Sequence, residues 1–144
     1  GMVELEYHAH LVGDVNDGTA RHVYVLDIGD KANVRAGLTV HVGRGSWSSW
    51  PPHKFETKTM LAPIKPQFGE LFAYVTRPAG GWGIQTITTN NEASIEFLSD
   101  REIKDIPLSS HPVVAAPGIQ LAYFWVYTSG DVRQTEKFTK EGRI

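Results

Sequence analysis

Short stretches of alternating apolar and polar residues run along most of this chain. From Ala36 to Val42, Leu38, Val40 and Val42 alternate with Thr39 and His41, the period of two expected of a half-buried strand. His22 to Ile28 is β-branched and aromatic, and predicts another strand. Trp47 to Phe55 is predicted to be extended, because Pro51 and Pro52 fix their own φ and push the preceding residue toward β. Glu70 to Thr76 and Trp82 to Thr88 flank Pro78-Ala79-Gly80-Gly81, a pattern that predicts a hairpin. Ile95 to Leu98 and Ile103 to Leu108 are shorter candidates, and Leu121 to Thr128 is the most apolar run, read as a central strand.

Helical periodicity is nearly absent. Asn90 to Phe97 has room for one turn, and the charged tail from Thr135 to Ile144 reads as a short helix or a frayed end. The 14 glycines and 8 prolines cut the chain into eight to ten short strands. The expected class is therefore all-β, a sandwich or jelly-roll barrel.

Composition narrows the setting. The length of 144 residues fits a single domain, expected over residues 2–144, with Gly1 read as a tag remnant. A domain of this size buries roughly two-thirds of the surface its unfolded chain exposes, so it can hold itself together without cross-links. It has no cysteine, which excludes disulfides, thiolate nucleophiles and Cys-type zinc sites. Lys and Arg total 14 against 16 Asp and Glu, so no basic excess points to nucleic acid. No run approaches the roughly 18 apolar residues of a membrane span, and no secretory signal is visible. A cytoplasmic location is the expectation.

Any metal must be held by the six histidines and the carboxylates. The stretch Gly45-Ser46-Trp47-Ser48-Ser49-Trp50-Pro51-Pro52-His53-Lys54-Phe55-Glu56 brings a rigid diproline up to His53. Glu70 heads an aromatic strand, and Ser110-His111-Pro112 precedes the apolar one. Inward side chains from neighbouring strands of a small barrel lie close together, so His53, Glu70 and His111 can converge on one ion. Imidazole and carboxylate donors suit zinc, manganese, iron or nickel. His41, on a neighbouring strand, is a substitute donor. His8, His10 and His22 read as surface residues. Trp47, Trp50, Tyr123 and Trp125 read first as core aromatics, although an aromatic barrel mouth also suits a sugar.

The run from Gly45 to Lys54 closely resembles the G-x-W-S-S-x-P-P-H-K-H-D signature of the family that groups 5-deoxy-glucuronate isomerase with 5-keto-4-deoxyuronate isomerase, both two-cupin proteins. Glu70-Leu71-Phe72, His111-Pro112 and Tyr123 to Arg133 follow in the family's order, so the resemblance spans about residues 21–133. It implies a single cupin, a double-stranded β-helix, matching the metal-bearing second half of such proteins. It also implies that His53, Glu70 and His111 hold the metal. The family's fourth ligand position is occupied by Phe55, and its Gly-Tyr before the last histidine is Ser109-Ser110.

Two functions follow as expectations. The first is a metal-assisted aldose–ketose isomerase acting on a uronate-like sugar acid. In it Glu56 or Lys54 moves the proton, Trp50 and Tyr123 contact the sugar, and Arg133 pairs with the substrate carboxylate. The second is a non-catalytic cupin that binds a small sugar or organic acid, or serves as a scaffold; Phe55 favours it. Self-association into a homodimer through a sheet edge or face is expected in either case.

Overall fold

The computed structural model describes residues 6–27, 34–56, 70–89, 92–107, 109–128 and 137–140. Twelve strands lie among the described residues: β1 (Glu6–Val12), β2 (Arg21–Asp27), β3 (Val34–His41), β4 (Trp47–Ser48), β5 (His53–Glu56), β6 (Glu70–Arg77), β7 (Trp82–Thr89), β8 (Glu92–Ser99), β9 (Ile103–Ile106), β10 (Val113–Ala115), β11 (Gln120–Thr128) and β12 (Lys137–Lys140). They form a six-stranded sheet in the order β1-β2-β3-β11-β6-β9, a four-stranded sheet β4-β10-β7-β8, and the pair β12-β5. Every pairing is antiparallel.

The core lies between the two larger sheets, where Phe72, Tyr74, Ile106, Leu121 and Tyr123 of one meet Ile87, Leu98 and Val113 of the other. Strand β6 shows how the pattern dictates this. Glu70, Phe72, Tyr74 and Thr76 are buried while Leu71 and Val75 are exposed, as strict alternation on a pleated strand requires. Strand β11 is central, between β3 and β6, as its apolar run predicts. Its register sets Tyr123 against Tyr74 and Thr39, and Trp125 against Phe72 and Gly37. Gly37 is needed there, because a Cβ at that position would overlap both the Trp125 ring and the Tyr24 carbonyl.

Three expectations are corrected. Pro78 to Gly81 does not close a hairpin, since β6 and β7 lie in different sheets; the turn carries the chain from one sheet to the other. Asp100 holds it there, accepting hydrogen bonds from the Thr76 and Gly80 N–H groups, both at 2.8 Å. Those two donors also lower the Asp100 pKa below the usual carboxylate value. In the span Asn90 to Phe97 the described residues, from Glu92 on, hold no helical turn, because Glu92–Ser99 pairs with β7 along its full length. The tail is neither helical nor frayed where it is described, since Lys137–Lys140 pairs with β5. In both segments long-range pairing overrode weak local preference. The extended Trp47 to Phe55 segment is divided between β4 and β5, in separate sheets. Among the described residues, no helix is long and apolar enough to cross a membrane.

Candidate functional site

Glu70 is the first residue of β6, set between Ile106 of β9 and Tyr127 of β11. Its side chain therefore enters the interior at one end of the six-stranded sheet. His111 arrives from the segment between β9 and β10. Its backbone is fixed on both sides: Ser110 bridges to Thr88, Pro112 accepts a hydrogen bond from the Thr86 N–H, and the His111 carbonyl accepts one from Gln85 Nε2 at 3.2 Å. The Gln85 carboxamide oxygen in turn accepts a hydrogen bond from the Tyr74 hydroxyl.

The result is a close pair between elements about 40 residues apart in the chain. His111 Nε2 lies 3.2 Å from Glu70 Oε2, and both side chains are buried. His111 Nδ1 is 2.9 Å from the Ser109 carbonyl oxygen. A carbonyl can only accept, so Nδ1 carries a proton. Nε2 therefore either donates to the carboxylate from an imidazolium or turns a lone pair toward it. The second state leaves an imidazole nitrogen and a carboxylate oxygen facing one point, with the other ring nitrogen anchored to a carbonyl. That is how a metal-ligating histidine is normally oriented. Phe72 packs edge-on against the His111 ring at 5.4 Å and stacks on Tyr123 at 4.7 Å, which helps hold the imidazole in place.

Behind this pair a chain of hydrogen bonds runs through the core. The Ser46 hydroxyl donates to the Gly43 carbonyl at 3.1 Å, so it accepts from His41 Nδ1 at 3.2 Å. His41 Nε2, 2.7 Å from Ser48 Oγ, then accepts the Ser48 proton. Ser48 Oγ in turn accepts from the Tyr123 hydroxyl at 2.8 Å. The bonds thus run Tyr123 to Ser48 to His41 to Ser46, and one neutral tautomer of His41 satisfies them all. Burial and then the nearby Arg21 guanidinium lower the His41 pKa to about 4, against a hydrogen bond from the ring to the Ser46 backbone that raises it. Arg21 sits opposite His41 in the β2–β3 register and donates to the Thr19 and Trp50 carbonyls at 2.9 and 3.1 Å. Burial raises the Tyr123 pKa, opposed by the hydroxyls of Ser48, Ser49 and Thr39.

Glu70 and His111 are therefore brought together. His53, Lys54, Phe55 and Glu56 form β5, but their side chains lie outside the described residues, as does Arg133. Among the described residues, no three His, Asp or Glu side chains form a group able to hold an ion. His41, expected as a substitute donor, has both ring nitrogens engaged by serine hydroxyls and would have to give one up to ligate. Tyr123, expected at the sugar, is buried in the core. Trp50 remains partly exposed and leans on Trp47 with ring centroids 5.4 Å apart.

Sequence reasoning missed Ser46, Ser48, Ser109 and Gln85. A signal for the first two was the alternation Ser46-Trp47-Ser48, which sends both hydroxyls to one side of an extended segment. Ser109 works through its carbonyl, which any residue would supply.

Two facing antiparallel sheets around an aromatic core, with a histidine and a carboxylate meeting inside, define a cupin. Matching folds include a cupin-2 domain protein from Rhodospirillum rubrum, with TM-score 0.56 at 13% identity over 94% of this chain and 74% of that one. An IolB-like protein from Salmonella typhimurium has TM-score 0.73 at 20% identity over 95% of this chain and 50% of that one. The chain belongs to the KduI/IolB family, whose profile matches residues 11–142. Curated relatives include the 5-deoxy-glucuronate isomerase of Geobacillus kaustophilus, 30% identical over 70% of this chain and 36% of the relative. That of Bacillus subtilis strain 168 is 23% identical over 85% of this chain and 45% of the relative. The chain thus spans less than half the length of these relatives.

Proposed function

We propose that the chain is a metal-assisted aldose–ketose isomerase of the KduI/IolB type, acting on a uronate-like sugar acid in the cytoplasm. The observation that carries this is the buried pair of Glu70 and His111, 3.2 Å apart, with the far nitrogen of the imidazole fixed on Ser109. This donor set fits a divalent ion of the zinc, manganese, iron or nickel type, and His53 of β5 is the third donor in the proposal. When bound, such an ion would supply Lewis acidity to the substrate's carbonyl and hydroxyl oxygens. The chain's own residues do the rest. His111 and Glu70 fix the position of the reacting end. Glu56, or alternatively Lys54, carries the proton between adjacent carbons. Arg133 pairs in two-point fashion with the substrate carboxylate, and Trp50 offers a partly exposed ring to the sugar.

A second reading is a cupin that binds a sugar acid without converting it. Phe55, where the family motif has a ligand histidine, favours it. Metal analysis of protein purified without chelator, followed by an isomerase assay with 5-deoxy-glucuronate, separates the two. Bound metal with turnover supports the isomerase. Metal or sugar-acid binding without turnover supports the binder, and no metal uptake on titration overturns the metal-assisted reaction.

A further inference from the structure

Arg21 opens β2 with its side chain turned into the protein, where only 6% of the residue is exposed. Burying a guanidinium carries a large desolvation cost, and for stability alone a well-packed apolar side chain of similar size often serves as well. Burial pulls the Arg21 pKa down, opposed by Tyr123 and Asp17. What the guanidinium adds is a flat fork of donors that can fix two acceptors at once. One arm donates to the Thr19 carbonyl at 2.9 Å and the other to the Trp50 carbonyl at 3.1 Å. These carbonyls belong to two different parts of the chain, the turn ahead of β2 and the segment that leaves β4.

Strand β4 is two residues long, and its pairing with β10 ends at Ser48. Up to that point the chain is tied on several sides: the Trp47 N–H donates to the Gly18 carbonyl at 2.7 Å, and the Ser48 hydroxyl joins His41 and Tyr123. The next residue, Ser49, has φ 54°. That left-handed conformation is uncommon for a residue with a Cβ and persists where surrounding contacts enforce it. Trp50 comes directly after it, 40% exposed but with its carbonyl on Arg21. Pro51 and Pro52 then fix their own φ, and His53 follows as the first residue of β5. Three residues reach at most about 10–11 Å, so the Trp50 carbonyl is a close anchor for the backbone of His53.

We propose that Arg21 is a positioning residue for the metal site: by clamping the Trp50 carbonyl it holds the left-handed turn at Ser49 and, through the two prolines, sets the backbone of His53 relative to Glu70 and His111. The inference rests on the proposed metal site and on His53 as its third donor, and it gives Arg21 no contact with metal or substrate. The other arm of the fork has a firm base. The Thr19 N–H donates to the Asp14 carbonyl at 3.0 Å, and the neighbouring Gly18 carbonyl is the one that holds Trp47. Two carbonyls fixed at once is the requirement that separates arginine from lysine here.

Zinc affinity, measured by competition with a chromogenic chelator, tests the proposal. Arg21→Met removes the fork and should weaken zinc binding ~10-fold, the lower end of what contacts supporting a metal ligand are worth. Arg21→Lys keeps the charge without the fork and should also weaken binding. It carries the test if far-ultraviolet circular dichroism shows that the Met variant fails to fold. In a His53→Ala background neither substitution should weaken binding further. The visible spectrum of the cobalt(II)-loaded Arg21→Met protein should move toward that of His53→Ala. Gly37→Ala, whose added methyl meets Trp125 and Tyr24, should leave zinc affinity unchanged. Wild-type affinity in either Arg21 variant overturns the proposal. So does a loss of the same size in the His53→Ala background or in Gly37→Ala, which would make the Arg21 effect one of stability alone. Zinc binding that is absent from the wild type, or unchanged in His53→Ala, instead overturns the metal site itself, and the positioning role with it.

Discussion

His41 gives this fold a definite acid weakness. The folded protein holds the ring neutral, with its pKa lowered from the ordinary 6.5 to about 4 by burial and the Arg21 charge. In the unfolded chain the ring titrates normally. Above pH 6.5 both states hold it neutral, and its contribution to stability is complete. As pH falls from 6.5 toward 4, the unfolded state takes up a proton that the folded state refuses, and stability drops. At about 1.4 kcal/mol per pKa unit, the loss is about 3 kcal/mol, a large share of the 5–15 kcal/mol typical of a domain. Protonated Nε2 would also present a donor where it now accepts the Ser48 proton. The perturbation is His41→Gln, which keeps a donor and an acceptor but cannot titrate. Urea denaturation followed by tryptophan fluorescence, at steps from pH 7 to pH 4, gives the unfolding free energy of each protein. Titrating carboxylates affect both proteins alike, so the difference between them isolates His41. The wild type should lose about 3 kcal/mol more than the variant across this range. Equal losses in the two proteins would refute the buried neutral histidine.

Other outcomes follow from single contacts. Gly37→Ala forces a methyl into the Trp125 ring and the Tyr24 carbonyl and should cost about 1–3 kcal/mol; an unchanged denaturation midpoint counts against that packing. Glu70→Ala should weaken zinc binding by at least ~100-fold in calorimetry, since even partners that only orient a ligand are worth 10–100-fold. Unaltered affinity would remove Glu70 from the proposed site. Phe55→His, which restores the family's donor, should raise zinc affinity; no change would argue against β5 as part of the site.

The local pattern made much of this protein legible. Alternation marked β3, turn residues marked off β6 and β7, and the apolar run marked β11 as central. The family motif marked Glu70 and His111, which the fold brings within 3.2 Å. It did not reveal that Pro78 to Gly81 links two sheets, because a turn's residues set its bend and not which strands pair beyond it. Of β8 only Ile95 to Leu98 was legible as a strand, and 137–140 was not, because the extension to 92–99 and the strand state of 137–140 come from partners on β7 and β5.

The division has one physical cause. Sequence alone determined what depends on neighbours along the chain: strand period, breaks at glycine and proline, the all-β class and the chemistry of the donors. Only tertiary structure decided what depends on residues far apart meeting. It placed the Ser109 carbonyl against His111 and closed the path from Tyr123 through Ser48 to His41 across 75 and 7 residues of sequence. Burial then made those contacts consequential, by taking water away from groups that would otherwise titrate and hydrogen-bond freely.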